Sequence, residues 1–405
     1  MEVSVIGQGY VGLPIAISAA ESGFKVGGFD IDVEKINNLK NGISDSPEVT
    51  PEILKKLQSQ NMIMFSENIE DHKDSKIYVI AVPTPLDDNH QPDLHYLINA
   101  CEILSKIVKP GDLIVNESTS FIGTLRDLIR PTIVKLSGIK EIEFAVAPER
   151  IDPGNMNWNV KNTPRVLSGI TDEATKRALD FYRNFCDVVF SVSKPEVAEA
   201  AKLFENTFRQ VNIALVNEFS EIAQKFNFSA HETITAAATK PFGFMPFFPS
   251  IGVGGHCIPV DPSYLAYSAI QVGIEPRFIN SANEINFLRA NKVVEMIKKE
   301  LNQSLRGKKI QIAGITYKPN IPDLRESPAI LLIKELELNG AYVTWYDPFV
   351  DEQDSRQSSS LMAEIDLGLI VTPHNKIDFS VWKNSKIRVL DFSANSINYG
   401  WPKYF

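Results

Sequence analysis

The run Ile251-Gly252-Val253-Gly254-Gly255-His256-Cys257-Ile258-Pro259-Val260-Asp261 sets a lone cysteine behind three glycines, with an aspartate four residues on. Glycines let a backbone turn tightly and approach a ligand closely. A cysteine on such a loop can add to a substrate carbonyl, which makes Cys257 a candidate nucleophile with Asp261 as its helper. A metal site is the poorer reading, because no second cysteine or spaced histidine lies near and His256 alone does not make one. Cys101, in a helical run, and Cys186, among aromatic residues, read as buried structural thiols.

A second constellation opens the chain. Gly7-Gln8-Gly9-Tyr10-Val11-Gly12 follows the apolar strand Val3-Ser4-Val5-Ile6 and leads into a helical pattern from Leu13 to Ser22; a second strand from Lys25 to Phe29 then ends in Asp30. Gly7 serves the turn, Gly9 the approach of a pyrophosphate, Gly12 the packing of the helix, and Asp30 the ribose hydroxyls. An acid at position 30 repels a 2′-phosphate, so NAD is expected over NADP.

Elements that position these groups follow from periodicity. Strands at Ile77–Val82, Asp112–Asn116 and Ile142–Val146, with helical stretches such as Asp93–Ile107 between them, predict a doubly wound parallel sheet. Ligands bind at the C-terminal ends of such strands, which here run into Thr84, into Glu117-Ser118-Thr119 and into Pro148-Glu149-Arg150. Thr84 and Thr119 alone would read as turn formers, whereas Glu149 at a strand end can act as a base or orient a water.

Ser193-Lys194-Pro195-Glu196 reads as a capping box, and apolar residues then recur at steps of three and four from Val197 through Phe204, Phe208, Leu215 and Ile222 to Phe226. Such a helix, about 50 Å long, suits a bridge between domains and a dimer surface. Lys202 and Asn206 fall one turn apart beside the stripe: solvated on an exposed helix, or able to bind a developing oxyanion if they face a cleft. The proline- and phenylalanine-rich stretch Pro241–Pro249 reads as the wall of a pocket. A second strand-helix alternation starts at Ile310–Ile315; its first loop holds Lys318 and Arg325 and ends with Ser327 and Pro328 as a helix start, a setting suited to a phosphate. Strands at 342–346, 367–371 and 387–390 follow, and the polar residues 351–360 read as a mobile surface loop.

Composition bounds the function. A hydrophobic share of 44% with 22% charged residues is that of a globular protein, and a net charge of −9 argues against nucleic acid as partner. Three cysteines far apart in sequence point to a reducing compartment, no secretory leader is expected, and no run reaches membrane length, so the cytoplasm is the expected location. The fold expected is α/β in three parts: an N-terminal Rossmann dinucleotide-binding domain (1–192), a central helical region with a long bridging helix and the cysteine loop (193–303), and a C-terminal Rossmann-like domain for a second phosphorylated ligand (304–405).

Taken together, Gly7–Gly12 with Asp30, Val82-Pro83-Thr84-Pro85, Ser118-Thr119, Pro148-Glu149-Arg150, Lys202 with Asn206, Gly254-Gly255-His256-Cys257 with Asp261, and Lys318 with Asp323 and Arg325 make the chain resemble the UDP-glucose/GDP-mannose dehydrogenase family over essentially its whole length. The resemblance implies four-electron oxidation of a sugar primary alcohol to a carboxylate, with NAD as oxidant, a homodimer, and a place in polysaccharide biosynthesis. It assigns catalysis to Cys257, Lys202, Asn206, Asp261, Glu149 and Thr119. It assigns the cofactor to Gly7, Gly9, Tyr10, Val11, Gly12, Asp30, Lys35, Thr84, Ser118, Thr119 and Arg325, and the UDP-sugar to Glu149, Arg150, Lys202, Asn206, Gly254, Gly255, His256 and Lys318, with no metal. The UDP-glucose branch usually has a second glutamate where this chain has Pro153, and a lysine where it has Val260. Both departures resemble the branch acting on UDP-N-acetylglucosamine or UDP-N-acetylmannosamine, the first expectation ahead of UDP-glucose or GDP-mannose. Rival readings are a hydroxyacid dehydrogenase, which needs no cysteine, a non-catalytic nucleotide-sugar sensor, and a short-chain epimerase, for which the one Tyr-x-x-x-Lys, Tyr399 to Lys403, is broken by Pro402.

Overall fold

A computed structural model describes the chain except for Asp45, Pro47, Asp88, residues 152–156, His256, Cys257 and Ser396. It divides into two compact units, Met1–Glu205 with Ser263–Gly273, and Asn206–Pro262 with Ile274–Phe405.

In the first unit β1 (Val3–Ile6), β2 (Val26–Phe29), β3 (Ile63–Ser66), β4 (Ile77–Ile80), β5 (Leu113–Asn116), β6 (Glu143–Val146), β7 (Arg165–Gly169) and β8 (Val189–Ser191) form one sheet in the order β3-β2-β1-β4-β5-β6-β7-β8. The helices are α1 (Gly12–Glu21), α2 (Val33–Lys40), α3 (Pro51–Ser59), α4 (His95–Ser105), α5 (Arg130–Ser137) and α6 (Asp172–Tyr182). Side chains alternate across a pleated strand. Val79, Leu113 and Val115 accordingly join Ile15 and Phe181 on one face, while Tyr78, Ile80 and Ile114 join Leu97 and Leu104 on the other. Helices cover both faces, as expected for a doubly wound sheet. The order reverses between β1 and β4, so the crevice for a ligand opens there.

Two strands, β7 and β8, depart from the all-parallel expectation, since β8 pairs parallel with β7. β7 runs antiparallel to β6, with Ala145 opposite Gly169 and Val146 opposite Ser168. An antiparallel neighbour needs no crossover helix.

Helix α7 (Pro195–Lys225) runs through residues of both units. It begins with Pro195 as its first residue, one position later than a Ser193 cap requires, and the Glu196 carboxylate accepts from Arg126 Nε at 2.7 Å. Its apolar stripe lies outward: Phe204, Leu215 and Ile222 are exposed, as is Phe226 just past its end. The buried positions are mostly small or polar, including Glu199, Lys202, Gln210, Ala214, Asn217 and Ser220, with Leu203 buried beside them in sequence.

The second unit continues with α8 (Ala230–Ala237), α9 (Asp261–Gln271, whose residues from Ser263 belong to the first unit), α10 (Arg277–Phe287), α11 (Arg289–Glu300), α12 (Pro328–Leu338) and α13 (Ser380–Lys383). Its strands are β9 (Lys309–Ala313), β10 (Tyr342–Tyr346), β11 (Glu352–Gln353), β12 (Arg356–Gln357), β13 (Leu367–Ile370) and β14 (Arg388–Asp391), with a parallel sheet ordered β10-β9-β13-β14. Val293 and Ile297 of α11 and Leu332 and Leu336 of α12 cover one face of that sheet. The expected loop at 351–360 is instead a hairpin, β11 antiparallel to β12, turned at Asp354 and Ser355 with φ 49 and 59. Two consecutive left-handed residues match the twist of a two-residue hairpin. The stretch expected to wall a pocket is largely exposed at Phe242, Phe244 and Met245, while Phe247 meets Phe208 of α7 edge-on at 5.9 Å.

Candidate active site

At the end of β1 the chain turns through Gly7, with φ 94, where a Cβ would stand 2.5 Å from the Ala81 carbonyl oxygen. A Cβ on Gly12 would lie 1.9 Å from the Gly7 carbonyl oxygen, so the close start of α1 also requires glycine. Gly9 differs: an added Cβ would meet nothing within 4 Å. Its glycine is therefore not demanded by packing, and the space beside it suits a pyrophosphate. Helix α1 has no side-chain cap and no acidic residue in its first turn, which leaves its positive end for an anion. Asp30 fixes the turn through Oδ2, which accepts from Gln8 N at 2.8 Å and from Lys35 Nζ at 3.3 Å; its Oδ1 accepts from Asp32 N at 3.0 Å. These features fit NAD, with Tyr10 exposed and Val11 half-buried at the same turn.

The next strand ends gather the hydroxyls and acids. Thr84 is buried past β4, and Ser118 past β5 donates to the Val82 carbonyl oxygen at 2.8 Å; Thr119 is half-buried. Glu149, past β6, is 5% exposed, and burial pushes its carboxyl up to about 7, against the pull of Lys202 and Arg165. A carboxyl held there can exchange a proton near neutral pH. Its Oε1 accepts from Ile151 N. Arg150 forks onto Glu205 and donates to the Pro164 carbonyl oxygen at 2.9 Å. Lys202 is buried on α7.

Sequence reading overlooked the charges behind Glu149. Glu117, fully buried one residue past β5, accepts from Arg165 Nη1 at 2.7 Å and from the Tyr182 hydroxyl. Arg165 Nη1 also reaches the Ala147 carbonyl oxygen at 3.4 Å, tying the ends of β5 and β6 together. Burial disfavours the guanidinium, but the Glu117 carboxylate outweighs that and holds its pKa above the ordinary value. A glutamate between an apolar strand and Ser118-Thr119 was the available signal. Glu199 of α7, also buried, accepts from Gly123 N at 2.6 Å and Leu125 N at 2.9 Å, and burial raises its carboxyl to about 7. It caps the helical turn that leads to α5.

In the second unit Asn206 Nδ2 donates to Asp261 Oδ2 at 2.5 Å, with Asp261 1% exposed at the start of α9. Lys202 and Asn206 are one turn apart on α7, as their spacing requires. Gly255 N donates to the Arg325 carbonyl oxygen at 3.2 Å. Arg325 itself is forked onto Asp323, Nε to Oδ1 at 3.0 Å and Nη2 to Oδ2 at 2.5 Å. Arg325 thus stands in the second unit with Lys318, while the other residues expected at the cofactor lie in the first. The key expectations at His256 and Cys257, and the departure at Pro153, fall outside the described residues. Cys101 and Cys186 are buried, and burial pushes the Cys101 thiol up to about 12. Tyr399 and Lys403 do not share a helix: Lys403 Nζ bonds Asp391 at 2.9 Å and sits over the Tyr399 ring at 5.0 Å, which removes the epimerase pair. Among the described residues no group of three or more His, Cys, Asp or Glu could hold a metal ion.

Three family models match the chain: the NAD binding domain of the UDP-glucose/GDP-mannose dehydrogenase family over residues 1–186, its central domain over 196–287 and its UDP binding domain over 311–394. The UDP-N-acetyl-D-glucosamine 6-dehydrogenase of Pseudomonas aeruginosa is 36% identical, over 88% of this chain and 84% of its own. The UDP-N-acetyl-D-mannosamine dehydrogenase of Pyrococcus horikoshii is 34% identical, over 95% and 92%. The solved structure of the UDP-D-ManNAc dehydrogenase from Pyrococcus horikoshii matches 100% of this chain and 97% of its own with a TM-score of 0.89 at 31% identity.

Proposed function

Because the chain belongs to the UDP-glucose/GDP-mannose dehydrogenase family, we propose that it oxidises the C6 primary alcohol of a UDP-N-acetylhexosamine to the carboxylate, with two NAD⁺ per sugar. The observation that carries this reading is a buried carboxyl, Glu149, tuned to about 7 three strands along the sheet from a dinucleotide turn with open space at Gly9.

A bound NAD⁺ supplies the hydride acceptor for both oxidations. Asp30 and Lys35 hold its ribose, and the turn at Gly7, Gly9 and Gly12 its pyrophosphate, with Thr84, Ser118 and Thr119 at the following strand ends. Glu149 takes the proton that leaves the alcohol, releases it to solvent, and later takes a proton from water, with Thr119 orienting that water. Cys257 adds to the aldehyde carbon as a thiolate, and loss of hydride from the thiohemiacetal leaves a thioester; the aldehyde is never released. Water then cleaves the thioester to carboxylate and thiol. Lys202 and the Asn206 amide stabilise the oxyanion, and Asp261 orients that amide. Lys318, beside the start of α12, binds the UDP phosphates, and Arg150 and the glycines at 254 and 255 shape the sugar site.

The N-acetylhexosamine is favoured by Val260 and by Gly254-Gly255-His256-Cys257, and relatives acting on such sugars align over most of the chain. The exposed apolar stripe of α7 is assigned to a homodimer, and free buried Cys101 and Cys186 suit the cytoplasm. The product, a UDP-hexosaminuronic acid, suits polysaccharide assembly. A panel of UDP- and GDP-sugars assayed for NADH release tests the reading: a UDP-N-acetylhexosamine should be turned over with the highest kcat/KM. Preference for UDP-glucose or GDP-mannose would overturn the substrate assignment.

A further inference from the structure

The sheet of the second unit repeats the frame of a dinucleotide half-site. Gly314 follows β9 with φ 83, and a Cβ there would stand 1.7 Å from the Thr372 carbonyl oxygen, as Gly7 stands against Ala81. Asp347 follows β10 as Asp30 follows β2, and its Oδ2 accepts from Ile315 N at 2.8 Å, the counterpart of the bond from Gln8 N to Asp30. The ribose-binding acid of this second frame is already engaged. His374 Nε2 lies 2.8 Å from Asp347 Oδ2, the Oδ1 accepts from Phe349 N at 2.9 Å, and both His374 and Asp347 are buried. A ribose cannot bind Asp347 in the way it binds the acid of a dinucleotide site.

The other edge of the imidazole faces the loop that follows β9. Asn320 N lies 2.8 Å from His374 Nδ1. A backbone N–H can only donate, so Nδ1 is the acceptor and the Nε2 proton points to Asp347. Asn320 has φ 66, and its side-chain oxygen accepts from Asn375 N at 2.9 Å. Thr316 Oγ1 donates to the Lys318 carbonyl oxygen at 3.0 Å, and Thr372 Oγ1 to the Thr316 carbonyl oxygen at 2.6 Å. The same loop is the floor under the glycines: a Cβ on Gly255 would stand 2.8 Å from the Tyr317 ring, and one on Gly254 2.9 Å from Tyr317 Cβ.

We propose that His374 is a positioning residue: its imidazole, held by Asp347, tethers Asn320 and so sets the turn that carries Lys318 and supports Gly254 and Gly255. Its effect on substrate rests on the reading of Lys318 as a ligand of the UDP-sugar, whereas the tether does not. The frame of a dinucleotide site is here converted into a scaffold for a phosphate loop.

Two conservative variants divide the imidazole. H374N keeps an acceptor near the Nδ1 position, and H374Q keeps a donor near the Nε2 position but loses the acceptor for Asn320. H374Q should raise the KM for a UDP-N-acetylhexosamine roughly three- to tenfold, leave the KM for NAD⁺ unchanged, and speed amide exchange at Asn320. H374N should stay within about twofold of wild type in KM and keep the Asn320 amide protected. Equal KM and equal Asn320 exchange in H374Q and wild type would overturn the proposal, even if both variants melt earlier. If wild type releases no NADH from any UDP-sugar, the functional reading fails, and Asn320 exchange alone decides the tether. Should H374Q not fold, nitrogen NMR of wild-type histidine decides: an unprotonated Nδ1 on His374 is expected, and a protonated one refutes the tether.

Discussion

Replacing Glu149 with glutamine removes a buried ionisation without changing the shape of the side chain. Burial raises this carboxyl from an ordinary 4.5 to about 7, with Lys202 and Arg165 opposing the rise and Glu117 and Glu48 adding to it. The difference corresponds to about 3 kcal/mol. The folded value lies above the unfolded one, so the folded chain holds the proton more tightly. The stabilisation is complete below about 4.5 and is lost as the pH rises through about 7. Most of that about 3 kcal/mol should therefore disappear from wild type between pH 5 and 8.5, and the share due to position 149 should be missing in E149Q. Glu199 titrates over the same range in both proteins, so the difference between their urea-denaturation midpoints, followed against pH, isolates Glu149. Turnover should show the same group: kcat of wild type rises to a plateau above about 7, while E149Q is roughly 10²–10⁴-fold slower and flat. An E149Q enzyme with the wild-type acid limb, or with wild-type pH dependence of stability, would refute the assignment.

Other outcomes follow from single contacts. A Cβ added at Gly9 meets no atom within 4 Å, so G9V should melt with wild type but bind NAD⁺ at least about tenfold more weakly by calorimetry; undiminished binding would remove the pyrophosphate from that turn. Arg165→Met strands the buried Glu117 carboxylate and should destabilise the first unit by about 3–5 kcal/mol, a loss that adding Glu117→Met largely recovers; equal losses in the single and double variants would count against the pair. Changing Phe204 and Phe226 together to glutamate should leave the circular dichroism unchanged and halve the sedimenting mass; an unchanged dimer would place the interface elsewhere.

Much of this was legible because it is local. An apolar strand, a glycine turn and an acid at the next strand end lie within Val3–Asp30, and each dictates its neighbour's backbone. Lys202 and Asn206 follow from helical spacing alone. What sequence could not give depends on partners far along the chain. Glu117 and Arg165 are 48 residues apart, and only the register of the sheet brings them to 2.7 Å. The antiparallel turn of β7 is likewise a matter of which edge was free beside β6. The outward face of α7 reversed the usual inference from apolar periodicity: its buried side holds Glu199, Lys202 and Asn217, polar groups with partners on other elements. The hairpin at Glu352–Gln357 was hidden because its short strands are polar and only the turn residues mark it.

In the proposed reaction one chain oxidises an alcohol twice, the second time on Cys257. Counting NADH against sugar consumed, with a UDP-N-acetylhexosamine as substrate and the product identified by mass, tests it most directly. Two NADH per sugar and a carboxylate product are expected, with both lost in Cys257→Ala. One NADH per sugar with a released aldehyde or ketone, or full turnover without the cysteine, would contradict it.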